Sequence, residues 1–323
     1  MSNSVFKKVH PTLFLSSGLL IAVLHVFAFF TQALEVNKPF PSLFAFYVED
    51  AKVAIPLGFL GTLINAQLLM WVLNRHSIFK PKTFAPFLFF GLILGLYPPN
   101  LYFNSLFVAI GFFLWMLHKL LFLPSSQAKP KHIFDGAFFL GLASMFFWPA
   151  AFSMFIILIA AMINGMLNVR NLLLWILGFV LPWFLVRGIY FLFEWPFTFP
   201  EQWKVPDISI FFNQDLSLII LIFSLITLVV GLFFFYKSLE KTTVESRNQK
   251  RVVGLAFFVW VLSAWSVFLT PVKGSLFFLM LSPILAYLYS VIMHQSTWKP
   301  IRIVFLLGLA AILVYNYSQL VIF

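Results

Sequence analysis

The residues best placed to do chemistry are two adjacent carboxylates, Glu49 and Asp50, in the segment Phe44-Ala-Phe-Tyr-Val-Glu-Asp-Ala-Lys52. A carboxylate of this kind can act as a general base or ligate a divalent cation. It can equally be a solvated loop charge, and the sequence leaves both readings open. Helical spacing puts Phe44 and Tyr47 on one face, which predicts a short helix lying on the membrane surface with Glu49 and Asp50 turned toward water. Glu35 precedes them, at the end of an apolar run, where partial desolvation would make it a better base. A second acidic stretch holds Glu194, Glu201, Asp207 and Asp215 among Trp195, Pro196, Trp203 and Pro206. It reads as a lid over a cavity or as a loop held at the headgroups by its aromatics. Arg187 sits within the apolar run before it, where a cation is costly unless paired. Its partner is either a carboxylate such as Glu194 or an anionic ligand such as a lipid phosphate. His25, Asn65 and Gln67 lie in two other apolar runs, where they would line one cleft or make hydrogen-bonded helix contacts.

These residues must be positioned by membrane helices. The chain is 62% hydrophobic and 10% charged, and many stretches exceed the roughly 18 apolar residues that span a bilayer. The net charge of +11 is what loops on one side of a membrane carry under the positive-inside rule, so no nucleic-acid partner is expected. With no cysteine, disulfides, thiolate metal sites and thiol nucleophiles are excluded. Walker loops, dinucleotide fingerprints, zinc-protease helices and nucleophile elbows are also absent.

Lys7 and Lys8 precede the first run (12–31) and set the amino terminus inside; they read as the flank of an uncleaved first span. Loops around Arg75–Lys82, Lys119–Lys131, Arg170, Lys237–Arg251 and Lys299–Arg302 are basic and read as inside. The apolar stretches 84–122 and 134–167 run from one basic loop to another, so each must cross twice. Tyr97-Pro98-Pro99-Asn100 and Trp148-Pro149 are the expected turns. The result is an all-α, polytopic helix bundle of about eleven spans, amino terminus in and carboxyl terminus out. Sixteen of 21 Lys and Arg then fall inside and seven of ten acidic residues outside, a segregation that a parity error would scramble. The organisation reads as a seven-helix module (1–193), an outer loop (194–215) and a four-helix module (216–323). Gly91-x-x-x-Gly95 permits close helix approach.

One span, an outer loop with an acidic pair, then proline-broken spans: this arrangement over roughly the first 200 residues resembles the GT-C class of membrane glycosyltransferases. The resemblance implies a polyprenyl-phosphate-linked sugar donor, an acidic residue of the first outer loop (Glu35, Glu49 or Asp50) as base or metal ligand, and Arg187 at the donor phosphate. The cofactor is otherwise unspecified, a divalent cation being compatible with such carboxylates. The segment Asp135-Gly-Ala-Phe-Phe-Leu-Gly-Leu-Ala-Ser-Met-Phe-Phe-Trp-Pro149, with Arg170 and Gly178-Phe-Val-Leu-Pro182, also resembles an uncharacterised family of Bacteroidota membrane proteins. The expected location is the inner (cytoplasmic) membrane, with membrane lipids as partners. An alternative function is a non-catalytic subunit or scaffold held to other membrane proteins in an envelope or secretion assembly. A lipid transporter is a third, disfavoured by the lack of ionisable residues at span centres.

Overall fold

Breaks between helices fall where proline, asparagine or charge interrupts the apolar runs. The computed structural model describes residues 11–31, 43, 44, 46, 48, 50–125, 128–194, 218–240, 243–265, 275–295 and 299–322. Among these it forms α-helices and no strand: α1 (Pro11–Thr31), α2 (Ala51–Arg75), α3 (Ala85–Gly95), α4 (Ser105–Leu120), α5 (Pro130–Phe146), α6 (Met154–Ile163), α7 (Val169–Leu192), α8 (Leu218–Glu240), α9 (Val244–Trp265), α10 (Ser275–Gln295) and α11 (Lys299–Ile322). The two expected turns are there, each as a 3₁₀ segment, at Pro98–Leu101 and Trp148–Ser153. Proline lacks an amide hydrogen and suits the first positions of each 3₁₀ segment, where no amide partner is needed. Pro56, Pro182 and Pro283 are nonetheless accommodated within α2, α7 and α10. Asp50, Asn104 and Asn168 cap the starts of α2, α4 and α7 by accepting backbone N–H bonds that the helices leave unmade.

Among the described residues four helical stretches are long and apolar enough to cross a membrane: Ala51–Arg75, Val169–Leu192, Ile222–Glu240 and Pro300–Ser318. By contrast α3, with 11 residues, and α6, with 10, fall well short of the ~20 residues that a bilayer span needs. Two expectations are corrected. Phe46, Val48 and Asp50 are not helical, so the described residues before α2 form no surface helix. Two of them are instead tied down by backbone bonds. Phe44 N–H donates to Met145 O (3.0 Å), Phe46 O accepts from Ser105 N–H (3.1 Å), and the Phe44 and Phe46 rings pack on Phe146 and Phe103. The second correction concerns 237–251. Expected as a loop, it is largely helix, because α8 runs to Glu240 and α9 begins at Val244. Its Glu, Arg, Gln and Lys residues are good helix formers, and Glu245 in the first turn suits the helix dipole.

The helices run between two ends of opposite character. At the basic end, Lys119 pairs with Asp135 (2.9 Å), His76 meets His118, and Phe79 packs on Tyr287 and His294 of α10. At the acidic end, Phe103 N–H donates to Ala54 O, Asn316 donates to Leu96 O, and Phe27 packs on Tyr317. The core is centred on α4. Phe113 stacks on Trp260 of α9 at 4.0 Å, and the Trp260 indole donates to Met280 O of α10 (2.9 Å). Gly91 and Gly95 face Ile21 and Leu24 of α1, so the spacing noted in the sequence serves the α1–α3 contact.

Helices α5 and α7 meet backbone to backbone. A Cβ at Gly178 would lie 2.5 Å from Phe134 O, and one at Gly141 would lie 2.6 Å from Phe179 O. Backbone cannot move aside as a side-chain tip can. Gly178→Ala is therefore expected to destabilise the protein by about 1–3 kcal/mol, the usual cost of overpacking. Gly188→Ala, with open space at its Cβ, is expected to be neutral. Thermal unfolding of the two variants in detergent checks the contrast.

Candidate functional site

At the acidic end the described residues include Asp50, Arg187 and Glu194, whereas Glu35, Glu49, Glu201, Asp207 and Asp215 lie outside them. Asp50 is exposed and its carboxylate accepts the Lys52 N–H at 2.9 Å. That bond is the N-cap of α2, so one oxygen has a structural task and the carboxylate still faces water. Glu194 lies just past the end of α7 in a left-handed conformation (φ 54°) and is exposed. Arg187 is exposed on α7, one helical turn beyond Trp183 on the same stripe.

That stripe leads back to the first acidic segment. The Trp183 indole donates to Ser144 Oγ (3.0 Å) near the end of α5, and the next residue, Met145, receives the Phe44 N–H. Trp148 packs edge-on against Trp183 at 5.5 Å. The end of α5 is thus shared by the segment that leads to Glu49–Asp50 and by the face of α7 that carries Arg187.

Of the two readings for His25, Asn65 and Gln67, a shared cleft or hydrogen-bonded helix contacts, the second describes Asn65. Asn65 is buried and donates to Phe107 O of α4 (2.9 Å), a helix-to-helix contact. Gln67, about 200° further round α2, is exposed. His25 meets a different residue of α2, Thr62, with Nε2 3.5 Å from the hydroxyl oxygen. Its Nδ1 lies 2.9 Å from Ile21 O and must donate, since a carbonyl only accepts. Thr62 gives its hydroxyl proton to Gly58 O at 2.8 Å. His25 also edges an apolar cavity of about 390 Å³ between α1 and α2, with Val26, Phe29, Ile55 and Phe59.

A second cavity, at the basic end, was not anticipated. It measures about 490 Å³ and is lined by Arg75, Lys80, Lys82, Glu245, Ser246 and Gln249 among others. The sequence showed these cations only as loop charge, and nothing in it signals that the start of α9 packs beside the α2–α3 connection. Next to the cavity His76 and His118 share one proton across 3.0 Å, one ring nitrogen donating and the other accepting. Phe122 packs edge-on against both rings and stacks on His132 at 4.7 Å. Burial, then the neighbouring His118, Arg75 and His132 charges, hold the His76 imidazole down at about 3. Among the described residues no three His, Asp or Glu side chains are grouped so as to hold a metal ion.

Long apolar helices, charge confined to the ends and a polar cavity at one of them define an all-α membrane protein. The chain belongs to a family of unknown function, DUF6427, matched over residues 28–323. No curated protein and no solved structure matches it.

The His76 environment has a pH signature. An unfolded His76 takes up a proton below its ordinary value of 6.5, whereas the folded one resists until about 3. The unfolded state then binds more protons, so stability falls as pH drops through that window. Unfolding temperature is expected to decline from pH ~6.5 downward, and His76→Gln to flatten the decline, as read by pH-dependent thermal melts.

Proposed function

We propose that the protein is a multi-pass inner-membrane protein, amino terminus inside and carboxyl terminus outside, that acts at its outer, acidic end on a phosphate-bearing lipid-linked substrate in the manner of a GT-C glycosyltransferase. Glu49, Asp50 or Glu35 is the proposed base or metal-ligating carboxylate, and Arg187 meets the donor phosphate. The observation that carries this reading is the shared end of α5, where the Phe44 amide bonds Met145 and Trp183 of the Arg187 stripe bonds Ser144. The threading rests on the segregation of charge, sixteen of 21 cations assigned to one side.

The Asp50 cap favours a second reading, a non-catalytic subunit of a membrane assembly, because there the carboxylate has a sufficient structural role. Charge and capping separate cleanly. Asparagine caps a helix as well as aspartate does, whereas alanine loses about 1 kcal/mol. Under the catalytic reading Glu49→Gln with Asp50→Asn abolishes the glycan product at normal protein level. Unchanged product would discard catalysis there, and loss of protein only with Asp50→Ala would assign Asp50 to the cap.

Threading is checked separately. The natural chain has no cysteine, so single cysteines can be introduced without a background. A cysteine at the exposed Glu194 is expected to react with an impermeant thiol reagent from outside, and one at Ser125 only after the membrane is opened.

A further inference from the structure

We propose that the cavity at the basic end is a binding site for a phosphate-bearing anion, held by Lys80, Lys82 and Arg75 together with the first turn of α9. The cavity's volume, about 490 Å³, lies within the usual range for small-molecule sites and exceeds what an isolated phosphate fills. The ligand is therefore a phosphomonoester or phosphodiester with a polar group attached. Three cations line the space against one carboxylate, Glu245, among the described residues. The single described ion pair, Lys119 with Asp135, lies elsewhere. The start of α9 adds its own positive end: Thr243, Glu245 and Ser246 all line the cavity, where free helix amides favour an anion.

The cations are presented by a connection too well anchored to be a slack loop. Asn74 and Thr83 bond reciprocally across it, side-chain amide to Thr83 O (2.8 Å) and Thr83 N–H to Asn74 Oδ1 (3.1 Å). Ile78 and Phe79 are buried, and Ile78 N–H donates to Leu73 O (3.0 Å). Lys80 and Lys82 follow those anchors and are exposed, so their backbone is set before any ligand arrives. Preorganisation of this kind lowers the entropy lost on binding. Arg75 supplies the planar fork that grips phosphate oxygens in pairs, and the lysines supply point charge.

A fourth cation lies close by. Lys250 is 5% exposed and its ammonium donates to Ser238 O at 3.2 Å. Burial, and then the charge of Lys80, push its pKa down. An anion beside Lys80 would relieve that repulsion. The positive-inside rule accounts for cations at this end, but it needs only their number and not their place around a cavity.

The test uses the full-length protein in phosphatidylcholine nanodiscs, with unfolding temperature read against two probes. One arm adds glycerol 3-phosphate in solution, and the other exchanges part of the lipid for phosphatidylglycerol. Stabilisation is expected in at least one arm, the soluble arm alone marking a free phosphate compound and the lipid arm alone a headgroup. Each lysine contact is expected to contribute about tenfold in affinity, so Lys80→Gln with Lys82→Gln should raise the half-saturating concentration about a hundredfold. Lys129→Gln with Lys131→Gln removes the same charge from exposed positions at the same end and should leave binding unchanged. Lys82→Gln alone, expected to lose about tenfold, carries the test if the double variant does not accumulate. No stabilisation in either arm, or equal losses in the two lysine pairs, overturns the proposal.

Discussion

Backbone amides and carbonyls removed from water must find partners within the chain, and this constraint shapes every part of the molecule. Helices satisfy it along their length. Their ends and the segments between them do not, and the structure is most elaborate there. Asp50, Asn104 and Asn168 close the starts of three helices. The Pro98–Leu101 and Trp148–Ser153 turns place prolines where an amide would otherwise be orphaned. Phe44 and Phe46, before α2, reach their partners on α5 and α4 through Met145 O and Ser105 N–H. The same bonds that satisfy the backbone hold these two residues a few positions ahead of the Asp50 cap.

Several polar side chains inside the bundle obey the same rule. Asn65 serves the contact of α2 with α4, Trp260 the contact of α9 with α10, and Ser153 with Ser263 joins the second turn to α9 at 3.2 Å. None is spare for chemistry. Exposed charge is found instead at the two ends, near helix termini. At the acidic end Asp50, Glu194 and Arg187 are exposed, and at the basic end Arg75, Lys80 and Lys82 surround a cavity. Aromatic packing supports both: Trp183 on Trp148 at one end, Phe122 between His76, His118 and His132 at the other.

Helix number and break points were legible because apolar length and proline are local signals. Each expected run became a helix or a proline-broken pair, with boundaries shifted by a few residues except at the start of α9. The missed surface helix before α2 shows the limit of a periodicity argument on a short segment. Phe44 and Tyr47 had the right spacing, but two backbone bonds to distant residues outweighed it. Asn104, inside the apolar stretch 84–122, caps α4, because asparagine competes for backbone at a helix start. Gln67 was grouped with Asn65 by proximity in sequence, and two residues of helix turned it to the opposite side.

By itself, then, the sequence determined the all-α membrane class, the apolar runs that become helices among the described residues and the segregation of basic from acidic stretches. Each follows from the free energy of placing single residues in water or in an apolar medium, which needs no knowledge of neighbours. The tertiary structure decided which loops share an end of which helix. It brought Phe44 and Trp183 to adjacent residues of α5, set Thr62 rather than Asn65 beside His25, and opened a cavity between Lys80, Lys82 and the start of α9. Those pairings depend on which helix faces pack, through glycines such as Gly141 and Gly178 that let two backbones touch. Close packing is a property of two surfaces at once, so no single stretch of sequence contains it.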